Sequence, residues 1–349
     1  MRERVEALVP GLTDRTFIGT FHSFCAQILR QHGSHIGIKP DFGIYDQDDD
    51  RKELLREALE AAATDGADVT PDDVRWLRAI DQLRSSLVSA EKTARHFRDP
   101  AAGERAASVY AIYEAALRAN NALDFNGMIL DACRLAHNVP AVATRTRQSY
   151  PYWLIDEFQD TTPAQYRLVR FFAGDDFKNV FAVADDDQII YQWAGASYRQ
   201  IVEFREHFSP GLIQLVENRR CPPAIVQAAN NLIGHNSDRT PGKEPLVPTL
   251  PGEGAAILRR TFGTDAEEAE GVADDIAAIT VAERGEVAVL GRTRAVLQPV
   301  LAALKLRGVA ASIATRRDRF ISPQFVWLQS CLDLSLRPGD RQVFTALAA

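Results

Sequence analysis

The chain has 349 residues, 46% of them hydrophobic and 25% charged, which makes it a folded soluble protein by class with room for two or three domains. A formal net charge of -7 excludes a protein coated all over by nucleic acid, so any DNA contact is expected in a local groove. The opening residues Met1-Arg2-Glu3-Arg4-Val5-Glu6 are charged where a signal peptide is apolar, and no stretch approaches the roughly 18 apolar residues of a membrane span, so a cytoplasmic protein without membrane partners is expected.

In chain order, Thr16-Phe17-Ile18-Gly19-Thr20 reads as a short strand, and Phe21 to Gln31 as a helix with Phe24, Ile28 and Leu29 on its apolar side. From about Asp46 to Ala136 the pattern is almost wholly helical, as in Lys52 to Ala63 and Ala106 to Ala119, and no strand is expected there. Tyr152-Trp153-Leu154-Ile155 and Asn179 to Val183 read as buried strands. The helix between them, Pro163 to about Ala173, has Thr162 as N-cap, Pro163 at its first position and Gln165 three residues after the cap. Further on, Leu212 to Val216, Ala255 to Arg259 and Val287 to Leu290 read as strands. They alternate with a helix from Asp265 to about Ile279, opened by the capping-box pair Thr264 and Glu267, and a helix near Ala295 to Arg307 ended by Gly308. Gly234 to Pro251 reads as an exposed loop in this second unit. Strands alternating with helices predict parallel sheets, hence two α/β domains, the first interrupted by a helical insertion. The four cysteines, Cys25, Cys133, Cys221 and Cys331, form no C-x-x-C pair. They are expected to be reduced and mostly buried rather than in disulfides or a zinc site.

The strongest chemical signal is Leu154-Ile155-Asp156-Glu157-Phe158-Gln159-Asp160-Thr161, an apolar strand ending in adjacent carboxylates. Ligands of parallel sheets bind beyond the carboxyl ends of the strands, where Asp156 and Glu157 stand. One acid there suits Mg²⁺, usually through its waters, and the other suits activating a water for transfer of a γ-phosphoryl group. A bare Asp-Glu pair reads more readily as an acidic loop after a core strand. A second string, Ala184-Asp185-Asp186-Asp187-Gln188-Ile189-Ile190-Tyr191-Gln192-Trp193, changes that reading.

Together the two strings resemble the second and third helicase motifs of the superfamily 1 UvrD/Rep family. Gly19-Thr20-Phe21-His22-Ser23-Phe24 is similar to the family's single-strand-contacting motif, Ala122-Leu123-Asp124-Phe125 to the segment closing the helical insertion, and Glu217-Asn218-Arg219-Arg220 to the fourth motif. The resemblance implies RecA-like parallel-sheet motor domains of the P-loop NTPase type. The expected plan is a first RecA-like domain in two parts, 1–35 and 146–215, a helical insertion at 36–145, and the beginning of a second RecA-like domain at 216–349. It implies ATP and Mg²⁺ as cofactors, with Asp156 and Glu157 at the metal, Glu157 as catalytic base, Gln188 sensing the γ-phosphate and Arg220 as arginine finger. An arginine suits that last task because it stays charged and presents a planar fork to phosphate oxygens. Thr20, Phe21, His22, Tyr191 and Trp193 are expected on single-stranded DNA, Trp193 stacking on a base. The implied activity is ATP-driven 3′-to-5′ movement on single strands and single-strand/duplex junctions.

Four positions depart from the family pattern: Ala184 and Gln192 stand where Gly is usual, Ile189 where Ser is, and Ala194 where Arg is. The last removes a polar link between the stacking loop and the nucleotide site. The phosphate-binding string G-x-x-x-x-G-K-[ST] is absent. The Gly242-Lys243 pair is followed by Glu244 and has no glycine five residues before it. Met1 to Val5 and Phe344 to Ala349 resemble helix interiors, so a truncated portion, inactive by itself, is expected. The competing expectation is a non-catalytic DNA-binding or assembly subunit that lost the phosphate loop.

Overall fold

The computed structural model describes residues 2–13, 16–174, 178–192, 195–237, 239–252 and 257–314, with 327, 331, 332, 334 and 335 beyond them. The expected strand residues Ala255 and Ala256, the stacking candidate Trp193, its neighbour Ala194 and the expected terminal helix segment at 344–349 lie outside the described residues. The chain divides into two compact units. One holds the chain up to Val216 together with Asn230–Leu246, and the other holds Glu217–Ala229 and most of the chain from Val247 onward.

In the first unit the elements run α1 (Arg2–Leu8), α2 (Phe21–His32), β1 (Gly43–Tyr45), α3 (Asp48–Thr64), α4 (Leu77–Ser85), α5 (Pro100–Ala119), β2 (Ala122–Asp124), α6 (Phe125–Asn138), α7 (Pro140–Ser149), β3 (Trp153–Ile155), α8 (Pro163–Ala173), β4 (Val180–Ala182) and α9 (Tyr198–Phe208). α2 starts at Thr20, whose hydroxyl accepts the Ser23 N–H, and it buries Phe24, Cys25, Ala26, Ile28 and Leu29. That face packs with Met128, Ile129, Ala132 and Leu135 of α6 and with Ala164, Leu168 and Phe172 of α8 in one core. A second core belongs to the helical stretch, where Leu54, Leu55 and Leu59 of α3 meet Ile80 and Leu83 of α4 and Val109, Tyr110 and Tyr113 of α5. A third joins Ile155, Phe158, Tyr166, Val169, Ile201 and Phe204 beneath the end of β3.

Arg84 and Asp124 are among the charged residues of the helical stretch that are almost fully buried. Arg84 donates to Asp124 at 2.6 and 2.7 Å. Asp124 also accepts from the Tyr113 hydroxyl at 2.8 Å and from the Gly127 N–H at 2.6 Å, capping α6. Arg51 adds a contact at 3.5 Å and bonds Asp81 at 2.5 Å. Burial opposes the charge on Asp124, but the two arginines and the Gly127 amide outweigh it and hold its carboxyl below the usual range.

Several expected elements differ from those observed. Thr16–Thr20 is coil with bends at Thr16 and Gly19 and forms no ladder among the described residues, and its Phe17 ring packs against Phe24 and Tyr150 instead. The helical stretch is not free of strand: Gly43–Tyr45, at its edge, pairs in parallel with Ala122–Asp124, Gly43 opposite Ala122. Three residues are too few to show an alternation in sequence. β3 and β4 pair in parallel, Trp153 opposite Val180, where strands were expected, but they are not buried on both faces: Leu154 is 79% and Phe181 57% exposed. Leu212–Val216 is unpaired coil, with Ile213 76% and Leu215 81% exposed. An apolar run is a strand only where a neighbour supplies its hydrogen bonds.

In the second unit β5 (Glu217–Asn218) pairs in parallel with β6 (Val247–Pro248), α10 (Pro223–Ile233) begins after Pro222, and α11 (Asp265–Ala278) and α12 (Arg294–Leu306) come after them. Ala269, Ala273 and Ile276 of α11 pack on Val300, Ala303 and Leu304 of α12. α12 ends at Gly308, whose φ of +67° is the left-handed conformation glycine takes without cost. At α11 the Thr264 hydroxyl accepts the Glu267 N–H as expected, but the Glu267 carboxylate bonds the Gly263 N–H rather than that of Thr264, so the box is half formed. Residues 257–259 and 287–290 are coil, not strand, again without a ladder partner among the described residues. The cysteines are free thiols. Cys25 and Cys133 are buried, and burial pushes the Cys133 thiol up to about 12, but Cys221 and Cys331 are half-buried, which corrects the expectation for that pair. No helix among the described residues is long and apolar enough to cross a membrane.

Candidate functional site

β3 delivers its last residue, Ile155, into the third core, and the chain then turns sharply. The turn is stitched to the end of β4 by two backbone bonds, Val183 N–H to the Ile155 carbonyl and Phe158 N–H to the Val183 carbonyl, both 2.8 Å. Buried Phe158 anchors it against Phe204, with ring centroids 5.0 Å apart. Between those anchors Asp156 and Glu157 are left exposed. Glu157 has φ +51°, the left-handed region, which a non-glycine residue occupies only when its surroundings dictate it. The Glu157 N–H donates to the Asp156 carboxylate at 3.1 Å.

Asp156, Glu157 and Asp160 line one side of a cavity of about 430 Å³, together with Tyr152 and Leu154. Gly19, Thr20, Phe21 and His22, at the start of α2, line the other side. Five residues singled out in sequence, Thr20, Phe21, His22, Asp156 and Glu157, thus meet on one cavity although the helical stretch separates them in the chain. Phe21 is half-buried and packs into both adjoining cores, and Thr20 caps α2. The His22 ring lies 4.9 Å from that of Phe125. Burial lowers its pKa below the ordinary value against the opposing pull of Asp124.

The oxygen donors fit a hydrated divalent cation: Asp156 and Glu157 are exposed carboxylates, and Oδ1 of Asp160 is buried with no hydrogen-bond partner among the described residues. Burial, and then Glu157, raise the pKa of Asp160. Among the described residues no Lys or Arg lines the cavity.

A hydrogen-bonded chain leads from Glu157 to the second acidic string. Gln159 is buried. Its Nε2 donates to Glu157 at 2.6 Å and its Oε1 accepts the Asp185 N–H at 3.0 Å. Asp185 in turn accepts from Gln188 Nε2 at 2.6 Å. In sequence Gln159 is one letter of the first string with no role of its own, and only the fold shows that it joins the two strings. Gln188 and Tyr191 are exposed and do not line the cavity. The loop after Tyr191 closes through Ala196 N–H to the Tyr191 carbonyl at 3.3 Å. It turns at Gly195, φ +100°, where a Cβ would lie 2.9 Å from Ser85 Oγ.

Arg220 lies in the second unit, exposed. Its N–H and that of Cys221 donate to Asn218 Oδ1 at 3.1 and 2.8 Å, fixing the turn ahead of α10, while neighbouring Arg219 pairs with Glu217 at 2.5 Å. The loop at 234–246 groups with the first unit rather than the second, because Arg239 and Lys243 bond the second acidic string. Neither cation has a role legible in sequence, where Gly242-Lys243 is only a pair that makes no phosphate loop.

Residues 1–209 match the family model described as UvrD/REP helicase N-terminal domain. The chain is 35% identical over 245 residues to the ATP-dependent DNA helicase PcrA of Staphylococcus aureus (strain Mu50 / ATCC 700699), a match covering 69% of this chain and 32% of that protein. It is 36% identical over 245 residues to the ATP-dependent DNA helicase PcrA of Staphylococcus epidermidis (strain ATCC 12228 / FDA PCI 1200), with the same coverage. The chain spans about a third of the length of the curated relatives it matches. With more than half of its residues under the family model, the chain belongs to the UvrD/REP helicase N-terminal domain family.

Proposed function

We propose that this chain is part of an ATP-dependent 3′-to-5′ DNA helicase or translocase, built from RecA-like motor domains at 1–35 with 146–215 and from 216 onward, with a helical insertion at 36–145. The observation that carries this reading is the convergence of Asp156 and Glu157 with Thr20, Phe21 and His22 on one cavity, joined through Gln159 to the turn bearing Gln188. Magnesium-bound ATP would supply the γ-phosphoryl group and the charge that holds it. With that group bound, Asp156 would help to hold the metal and Glu157 beside it would accept the proton of the attacking water. Gln188 would meet the γ-phosphate and Arg220 would serve as the arginine finger. Thr20, His22, Tyr191 and Trp193 bind single-stranded DNA, the aromatic residues by stacking that tolerates any base.

The test is strand-dependent ATP hydrolysis by a longer chain that adds a phosphate loop, assayed on duplexes with a 3′ or a 5′ single-strand tail. Unwinding confined to 3′ tails, lost in Glu157→Gln, is expected. Activity unaffected by that substitution refutes the assignment of the cavity. One observation favours a second reading, a non-catalytic DNA-binding or assembly role for these residues by themselves: the sequence has no G-x-x-x-x-G-K-[ST]. DNA binding without nucleotide turnover in the longer chain would establish it.

A further inference from the structure

Asp185, Asp186 and Asp187 are consecutive, and their nearest carboxylate oxygens lie within 4.8 Å of one another. Left alone, three charges at that spacing repel and open the turn. A single ammonium prevents it. Lys243 Nζ touches all three, at 2.6 Å from Asp185 and 2.8 Å from Asp187, and most closely Asp186. Arg239 grips Asp187 with both arms of its fork, at 2.7 and 2.9 Å, and the Thr240 N–H donates to Asp186. Burial disfavours the charge on Lys243, but its hydrogen bonds to the three acids outweigh burial and hold its pKa well above the ordinary lysine value.

The segment that carries these cations is itself held. Gly242 turns it with φ +76°. The Gln214 side-chain amide donates to the Gly242 carbonyl and accepts the Glu244 N–H, each at 2.9 Å. The Asn230 side chain does the same with the two backbone groups of Leu246, at 2.8 and 3.1 Å. Lys243 therefore arrives where it is already positioned. Its bond to one oxygen of Asp185 leaves the other to accept Gln188 Nε2.

We propose that Lys243 and Arg239 are positioning residues that clip the Asp185–Gln188 turn and thereby aim Gln188. Its mechanistic meaning rests on the reading of Gln188 as the residue that meets the γ-phosphate. An exposed ion pair contributes little, but here one cation serves three acids, one of them almost fully buried, and removing it strands that charge. The clip also explains why Gly242-Lys243 is not a degenerate phosphate loop. Its lysine is fully engaged by protein carboxylates.

The experiment is amide exchange by NMR on the 349-residue chain. In Lys243→Met the amides of Asp185, Asp187, Gln188 and Thr240 should exchange roughly tenfold faster or more, with α8 and α9 unchanged, since local opening is read at the bonds that break. The Gln188 side-chain amide signals should move to free values, and Lys243→Arg, which keeps the charge and several donors, should recover both. If Lys243→Met fails to fold, the double variant Asp186→Asn with Lys243→Met removes both sides of the buried pair. It should fold with the same turn unprotected. Unchanged protection in the variant that folds overturns the clip. So does a loss that Lys243→Arg fails to recover, or one spread evenly over α8 and α9. Because no nucleotide is involved, a loosened turn with normal turnover in Gln188→Ala, measured in the longer chain, keeps the clip and refutes the phosphate role. An unmoved turn refutes the clip alone.

Discussion

Glu157 combines an exposed carboxylate with a left-handed backbone held by the flanking Ile155 and Phe158 bonds. Such a conformation costs of order 1–3 kcal/mol and persists only where the surroundings enforce it. Replacing Glu157 by Gln keeps shape and conformation but removes the base. In a longer chain with a phosphate loop, the expected result is ATP still bound with turnover abolished, read by nucleotide titration beside steady-state hydrolysis. Asp124 presents the opposite case, a buried carboxylate whose task is structural. Asp124→Asn removes the nearest counter-charge of buried Arg84, leaving it Glu114 at 3.6 Å, and should destabilise the first unit by about 3 kcal/mol in urea unfolding. The folded pKa of Asp124 is depressed, so its stabilisation is fully present above the unfolded value of about 3.9 and is lost as pH falls through the folded value. The stability gap between parent and Asp124→Asn should therefore narrow below about pH 4. A gap independent of pH would show that the charge on Asp124 contributes nothing.

At the scale of elements, α8 connects the two acidic strings, and its start is the best-defined cap in the chain. The Thr162 hydroxyl accepts the Gln165 N–H at 3.3 Å, and the Gln165 side chain accepts the Thr162 N–H at 2.9 Å. Thr162→Ala should cost about 1 kcal/mol by thermal or urea unfolding, with the ladder between β3 and β4 intact. A loss near zero would mean that tertiary packing alone fixes the helix start. This helix was fully legible in sequence, because caps and a 3.6-residue apolar period are local signals. The short strands were not. β1 and β2 owe their pairing to each other across the whole helical stretch, while Leu212–Val216 has equally strand-like residues and no partner among those described.

For the whole molecule, a net charge of -7 confines any DNA contact to a local groove, and the proposed aromatic contacts predict single-strand binding there that ignores base sequence and weakens with salt. The logarithm of affinity should fall with the logarithm of salt by about 0.7 per phosphate neutralised, and Trp193→Ala should cost about 1–3 kcal/mol in a fluorescence titration. Equal affinity in parent and variant would remove Trp193 from the interface. The 349-residue chain by itself should hydrolyse no ATP, because positioning and charge stabilisation of the γ-phosphoryl group need a cradle of amides and lysine that these residues lack. Hydrolysis above background that disappears in Glu157→Gln would show that another segment supplies that cradle.

The sequence by itself determined the family, the helices with local caps, and the residue types that line the cavity, since Asp156-Glu157 and Thr20-Phe21-His22 are contiguous strings whose chemistry is written in their order. Tertiary structure alone decided that Gln159 ties the first acidic string to the second and that Asp124 is an internal counter-ion rather than a surface acid. It alone decided that Lys243 answers three aspartates more than fifty residues earlier. The reason is physical: a cap or a turn is settled by neighbours in the chain. A hydrogen bond between distant side chains, or the burial of a charge, depends on which surfaces the fold brings together, and no local pattern records that.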